Sequence, residues 1–310
     1  MTYIAKTIAG IEKIAAKETG GKSIAPKTIE LKAQPKQQRT ITTIYAKEFD
    51  CTFSTFEDLQ EKLQKAKFKI EGSCQIVCNR EGEHGFRSVD VAQALSEHLR
   101  KEGITTTYAN PTTTIYVDIM SDHCYAGRLI AKDLQRRSYR VRHNNQSINA
   151  CIAAAMVLTA KPKKEEVILD PFCKDAVISI EAWMQGYKKV RAYDASRNNV
   201  RNAGINCKMA KTDILPQVYD ASWLETLFKK EEIDHVITTI HLSNRTKDTS
   251  HMKSCLEAAK KIVSKSMTVC VIQPEPMKEM MPREFRLVKE YRVSVGEMHY
   301  SILHFKKKAS

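Results

Sequence analysis

The run Asp170-Pro171-Phe172-Cys173-Lys174-Asp175-Ala176-Val177-Ile178-Ser179-Ile180-Glu181 places a carboxylate at the end of an apolar stretch (Val167, Ile168, Leu169). An apolar-periodic segment (Ala176, Ile180, Trp183, Met184) follows it. That pattern is a strand feeding a helix in a Rossmann-like unit, whose turn normally carries glycines so that a nucleotide-type ligand can approach the backbone. This turn has none. Lys174, Asp175 and the β-branched Val177 put side chains where such a loop needs space. Lys174 has two readings: its ammonium meets an anionic ligand group, or its chain fills an empty pocket. Asp194 ends the next apolar run, Asp213 follows it, and each can either accept hydrogen bonds from a ligand or cap the next helix or turn. Thr239 and His241 close a later strand. His241 can stack on a base, act as a base, or be an ordinary structural histidine.

A second chemistry-bearing group is basic. Arg128, Lys132, Arg136, Arg137, Arg140 and Arg142, against only Asp133, give a net +5 over fifteen residues, with Tyr139 among them. Such a run is a solvated face or a phosphate-contacting surface with a ring able to stack on a base or ribose. Arg80, Arg87 and His84 form a smaller group, and Lys306-Lys307-Lys308 reads as a solubilising tail. Cys74 and Cys78 lack a second ligand pair at zinc-site spacing, so no metal is expected. No Ser-His-Asp or Cys-His nucleophile arrangement stands out.

The elements that must position these residues are legible from periodicity. Thr2 to Ala9 alternates like a strand, and a short helical stripe through Ile11, Ile14 and Ala15 stops at Gly20-Gly21. β-Rich runs cover Ser23 to Leu31 and Thr40 to Lys47, and Ser54-Thr55-Phe56-Glu57 opens a helix reaching about Lys67. With the strand Cys74 to Cys78, this order suits a ferredoxin-like module. A helix over Val89 to Lys101 and a strand over Thr113 to Met120 come next, then an Ala-rich helix over 147–160. From Val167 strands and helices alternate: strands at 167–169, 190–193, 207–210, 236–240 and 268–272, helices at 176–187, 198–203, 221–230 and 252–263. Two closing runs, Phe285 to Val295 and His299 to Phe305, meet at Gly296 as a hairpin. Such alternation means a mostly parallel sheet covered on both faces, here with an antiparallel terminal hairpin.

Composition bounds the rest. The 310 residues are 42% hydrophobic and 28% charged, which is a globular chain of two or three domains. A formal charge of +14 favours a polyanionic partner, since lysines and arginines that neutralise phosphates release condensed counterions. Nine cysteines without a Cys-x-x-Cys pair read as reduced thiols. With no signal-peptide pattern and no apolar run near the length of a membrane span, the expectation is a cytoplasmic protein without a membrane partner.

Taken in order, Gly10-Ile11-Glu12, the Arg80 to Ser88 loop, Asn110-Pro111, Arg136-Arg137-Ser138-Tyr139-Arg140-Val141-Arg142, the Ser147 to Leu158 helix, Asp170-Pro171-Phe172-Cys173 and Ile180-Glu181-Ala182 resemble the THUMP-bearing RNA (guanine-N2) methyltransferases. The resemblance covers nearly the whole chain, and the ordered set is its specific part. It implies a ferredoxin-like module (1–68), a THUMP domain that binds structured RNA, in many members the tRNA acceptor end (69–143), and a Rossmann-like domain for S-adenosylmethionine (144–310). It also implies that Asp170 meets the cofactor amino group, Asp194 the ribose hydroxyls and Asp213 the adenine amine, with Phe172 and Lys174 beside them.

Two motifs depart from the family. Members usually have Asp-Pro-Phe-Cys-Gly-Ser-Gly-Thr, where this chain continues Lys174-Asp175-Ala176-Val177. At the end of the fourth strand they usually have Asn- or Asp-Pro-Pro-Tyr, where this chain has Thr239-Ile240-His241-Leu242. Methylating an exocyclic guanine amine needs acceptors for that amine and a ring that stacks the flipped base. Thr239 and Ile240 supply neither. The sequence thus points to an RNA-binding protein, with tRNA as the expected RNA, whose altered loops argue against methyl transfer. The alternatives are an active S-adenosylmethionine-dependent tRNA (guanine-N2) methyltransferase, or a scaffold for a protein partner.

Overall fold

The structure, a computed structural model, describes residues 1–36, 38–241 and 249–308; Leu242 of the second altered loop lies outside the described residues. In chain order the elements are β1 (Thr2–Thr7), α1 (Glu12–Thr19), β2 (Lys22–Ala25), β3 (Thr28–Leu31), β4 (Ile41–Lys47), β5 (Phe49–Thr52), α2 (Phe56–Gln64), β6 (Cys74–Glu81), α3 (Ser88–Lys101), β7 (Thr113–Met120) and β8 (His123–Ala131). There follow α4 (Ala150–Ala160), β9 (Ile168–Asp170), α5 (Val177–Met184), β10 (Val190–Asp194), α6 (Arg197–Met209), β11 (Gln217–Val218), a 3-10 turn (Ala221–Thr226), β12 (Ile233–Thr239), α7 (Ser250–Ile262), β13 (Val263–Val271), α8 (Pro274–Met280), β14 (Phe285–Val295) and β15 (Met298–Lys307). The chain divides into two compact units, residues 1–6, 19–36 and 42–133 in one, and 7–18, 37–41 and 134–310 in the other.

The first unit is one sheet in the order β2-β3-β1-β4-β8-β7-β6, with β5 also paired to β8; strands from both sides of residue 68 share it. The run Ser23 to Leu31 turns back on itself at Lys27, whose φ is +56°, and so forms two strands. Leu59, Leu63, Val91, Leu95 and Leu99 from α2 and α3 pack with Ile115, Val117 and Ile119 of β7 into one core. The unit also holds a buried ion pair, in which the Lys6 ammonium donates to Asp118 at 2.7 Å and Thr28 at 2.9 Å.

The second unit is a seven-stranded sheet in the order β11-β10-β9-β12-β13-β15-β14. Its first five strands pair in parallel and the last two antiparallel, a mixed α/β methyltransferase-like fold. Helices cover both faces because the strands are apolar on both sides. Ile152, Met156 and Ile180 lie in one core with Ile302, and Leu224, Leu256 and Met277 in the other with Leu303. Nearly every residue of α4 is buried, which explains why its sequence is alanine-rich rather than amphipathic. Gly10 takes φ +96° and lies so close to Arg292 that a Cβ would sit 1.7 Å from its carbonyl oxygen, so only glycine fits there.

The strand expected at 207–210 is not formed. Those residues finish α6, because Ala203, Asn206 and Cys207 recur at helical spacing on a buried face. The edge strand comes later, at Gln217–Val218. The segment expected as a helix over 221–230 is a short 3-10 turn capped by Asp220. No described helix is long and apolar enough to cross a membrane.

Candidate functional site

In an open α/β sheet the ligand crevice lies beyond the carboxyl ends of the strands, where the strand order reverses. Here that point is between β9 and β12, with β10 on the other side of β9. The turn after β9 keeps a glycine loop's backbone without its glycines: Lys174 has φ +51° and Ala176 φ +64°, both in the left-handed region. The Cys173 N–H donates to the Tyr193 carbonyl at 2.8 Å and the Lys174 N–H to Asp194 Oδ2 at 3.0 Å, which fixes the turn to β10.

The Lys174 side chain crosses the switch point. It is 6% exposed, and its Nζ donates to the Thr239 carbonyl at 3.1 Å and also to the Thr239 hydroxyl. His241 Nδ1 lies 3.4 Å from the same ammonium. One buried lysine therefore ties the ends of β9, β10 and β12 together. Burial lowers its proton affinity, against the raising effect of Asp170 and Asp194. His241 is pushed down to about 4 by burial and then by the Lys174 charge, so its ring is neutral at pH 7.

Two of the three expected cofactor carboxylates, Asp170 and Asp194, have protein partners. Asp170 is 1% exposed and accepts from the Thr238 hydroxyl at 2.6 Å. Asp194 uses Oδ1 for the Ser196 N–H and Asn199 Nδ2, both at 2.9 Å, so with the Lys174 N–H both oxygens are engaged. Asp213 is exposed, and Phe172 packs half-buried beside a core cluster, lining with Pro171 and Thr238 a cavity of about 10 Å³. The Lys174 ammonium, bonded to Thr239, thus lies at the switch point between β9 and β12, where an open α/β sheet takes its ligand.

Burial raises the Asp170 pKa to about 7, with the Thr238 hydroxyl and Lys174 opposing. The folded state thus favours the protonated acid, and the stability it contributes is full below the unfolded value near 4 and lost as pH rises through about 7. Between pH 5 and pH 8 the wild type should lose about 2–3 kcal/mol relative to Asp170→Asn on this account. Urea midpoints at the two pH values measure it, and parallel curves for the two proteins would refute it.

The basic run is divided by the structure. Glu181, fully buried on α5, accepts from Arg39 Nε at 2.8 Å and Nη2 at 2.7 Å, from Arg137 Nε at 2.8 Å and from the Tyr139 hydroxyl at 2.8 Å. The stacking role expected of Tyr139 does not hold, because the ring is 5% exposed in the core and its hydroxyl is bound. Arg137 is likewise committed to a buried carboxylate. Arg140 pairs at 2.9 Å with Asp175, whose other oxygen takes the Ser147 hydroxyl. These three residues are scaffold rather than surface.

Lys132, Arg136 and Arg142 are exposed. Arg87 is exposed and paired to Asp90 at 3.0 Å, and Arg128 is half-buried against Glu48 at 2.9 Å. Arg80 lies within strand β6 rather than in a loop; its Nη1 reaches the Gly82 carbonyl at 3.0 Å and His84 at 2.9 Å.

Among the described residues Asp220, His251 and Cys255 bring one ligand-type atom each within 4.8 Å of one another, a grouping that cysteine spacing could not reveal. Asp220 there accepts from the Ser222 N–H and hydroxyl at 2.8 Å, and burial pushes the Cys255 thiol up to about 12, so it is protonated at neutral pH.

Comparison with known proteins agrees with the architecture. Residues 137–301 match the family model UPF0020, RMKL-like, methyltransferase domain. The chain is 30% identical over 111 residues to the tRNA (guanine(6)-N2)-methyltransferase of Methanocaldococcus jannaschii, covering 33% of this chain and 29% of that protein. It is 27% identical over 155 residues to the protein of the same name from Archaeoglobus fulgidus, covering 46% and 40%. The matched part is thus well under half of these curated relatives' length. The crystal structure of TrmN from Thermus thermophilus superposes with a TM-score of 0.84 at 19% identity, over 99% of this chain and 100% of that one, which is a likeness of fold.

Proposed function

The chain belongs to the UPF0020 family of RMKL-like methyltransferase domains, and on that footing we propose that it is an RNA-binding protein, acting on tRNA, whose methyltransferase fold no longer holds the methyl donor. The observation that carries this reading is Lys174, whose buried ammonium bonds to Thr239 and fills the crevice where the sheet would hold a ligand. The backbone of the turn remains in glycine-type conformations while the space beside it is occupied. Thr239 adds no carboxamide or ring for a guanine, and its hydroxyl is already bound to Lys174.

RNA is favoured by the +14 charge and by the matched relatives' names, which specify tRNA. In this reading residues 69–143 take the THUMP role and the protein is cytoplasmic. Lys132, Arg136 and Arg142 meet phosphates, while Arg137, Tyr139 and Arg140 hold the fold. The relatives' names also favour a second reading, an active tRNA (guanine-N2) methyltransferase.

Isothermal titration with S-adenosylmethionine and S-adenosylhomocysteine up to millimolar ligand is expected to give no binding heat, and unfractionated tRNA is expected to bind. Cofactor binding with transfer of a labelled methyl group to tRNA would replace the first reading by the second.

A further inference from the structure

The amino ends of the parallel strands carry a different surface. Two adjoining cavities, of about 410 and 600 Å³, share Thr159, Lys161 and Lys289, and between them they are lined by nine lysines and two glutamates. Lys13, Lys17, Lys161, Lys289 and Lys306 are exposed, and none has a carboxylate partner among the described residues. They come from four distant stretches of chain: α1, the end of α4, β14 and β15. The sheet register explains how they meet. Ser266 pairs with Lys306 and Thr268 with His304 across β13 and β15, and Lys289 pairs with His304 across β14 and β15. Side chains alternate between faces with period two, so Tyr291, Lys289, His304 and Lys306 share one face. Val288 is bulged at the register shift between Leu287 and Lys289, which sets Lys289 onto it. The stretch that reads as a solubilising tail is thus partly strand, with Lys306 built into the sheet.

Neither carboxylate offsets the cluster much. Glu166 is held by His235 at 2.7 Å and Lys265 at 2.5 Å, and Glu18 accepts from the Arg39 N–H and Thr40 N–H, both at 2.9 Å. The carboxyl end of α4 contributes only about half a negative charge. The resulting field acts on two groups. His304 is brought down to about 4 by burial and then by Lys306, His235, Lys289 and Lys161, and the Lys161 ammonium is lowered first by Lys17 and then by Lys289. Like charges held together this way await an anion.

The shape selects among anions. The smaller cavity is walled by Tyr187, Tyr291, Leu158 and Pro162 beside Lys13, Lys17, Lys161 and Lys289. Both tyrosines are half-buried. Recessed rings flanked by lysines suit a base or ribose with its phosphates, whereas a flat bilayer surface cannot enter a recess.

We propose that this lysine-lined groove at the amino ends of the parallel strands is a second RNA-contact site, taking the phosphodiester backbone of the same RNA. It lies at the opposite end of β12 from Lys174: His235 lines the groove, and Thr239 meets Lys174 four residues later in the strand. The site is therefore separate from the ordinary ligand crevice of the fold. It rests on the reading that the protein binds RNA.

The test is tRNA binding by fluorescence anisotropy across a salt series, for wild type, for Lys161→Gln/Lys289→Gln/Lys306→Gln, and for Lys132→Gln/Arg136→Gln/Arg142→Gln. The groove variant is expected to reduce the slope of log K against log salt by about 2–3 and to weaken binding at least tenfold at about 100 mM salt. Its thermal midpoint should stay at or above wild type, since the substitutions remove repulsion between exposed groups; this shows that any loss is not misfolding. An unchanged slope in a folded groove variant, with wild type binding tRNA, overturns the groove and leaves RNA binding standing. No tRNA binding by the wild type overturns the function itself.

Discussion

Glu181→Ala is expected to lower the stability of the second unit by about 3–5 kcal/mol, the magnitude for removing one partner from a buried ion network. The carboxylate is fully buried and accepts from two guanidiniums and a phenol within 2.7–2.8 Å. Without it, the Arg137 Nε, in a side chain that is 8% exposed, and the Tyr139 hydroxyl keep their desolvation cost and lose their acceptor, while the other Arg137 nitrogens keep the Leu134 and Arg39 carbonyls. Arg39, with a quarter of its side chain exposed, can recover some hydration, which places the effect inside the range rather than above it. Glu181→Gln retains one carbonyl acceptor and should lose roughly half as much. Equilibrium urea unfolding measures both. A loss below about 1 kcal/mol for the alanine variant would mean that the arginines find other partners and that the network is not what holds them in place.

If Lys174 excludes the cofactor as proposed, the double substitution Lys174→Gly/Ala176→Gly is expected to give a protein whose thermal midpoint rises with S-adenosylhomocysteine, where the wild type's does not. Both residues hold left-handed backbone conformations that cost an L-residue roughly 1 kcal/mol each and glycine almost nothing. Relief of that strain opposes the loss of the buried Lys174 chain and its bonds to Thr239, so net stability should change little. The crevice changes much more. Removing the lysine side chain opens the switch point between β9 and β12, and the turn's N–H groups keep their place through Asp194. A midpoint shift of several degrees at millimolar ligand in the variant, with none in wild type, is the expected result. Equal or stronger binding by the wild type would show that Lys174 does not exclude the ligand.

Much of the fold was legible because it depends on local patterning. The strand Thr113–Met120 and the run Phe285–Val295 have the bounds their apolar alternation predicts, and α3 differs by a single residue. Thr55 caps α2 through the Asp58 N–H at 3.2 Å, one position beyond the start of the capping signal at Ser54. The failure at 207–210 has a local cause as well. The asparagines of Arg197-Asn198-Asn199 and Gly204 weaken helix propensity. Asn206 nonetheless holds a buried place by donating to the Arg142 and Asp175 carbonyls, and that tertiary bonding carries α6 on to Met209.

The candidate site divides differently. The sequence alone determined the strand–helix alternation, the turn without glycine and the excess of positive charge, since each follows from residue type and short-range order. It could not decide which cations remain available. Tyr139 and Arg137 lie in a stretch that reads as surface, and only the packing of α5 brings Glu181, more than forty positions away, within hydrogen-bond reach. Conversely, Lys161, Lys289 and Lys306 look unrelated in sequence and share one groove because the sheet register aligns the last two and the end of α4 brings Lys161 beside them. Coulomb energy and desolvation depend on distance and burial in space, which spacing along a chain does not encode. The same holds for Lys174: its type was visible from the start, but only the meeting of β9 with β12 made it the side chain that bridges their ends.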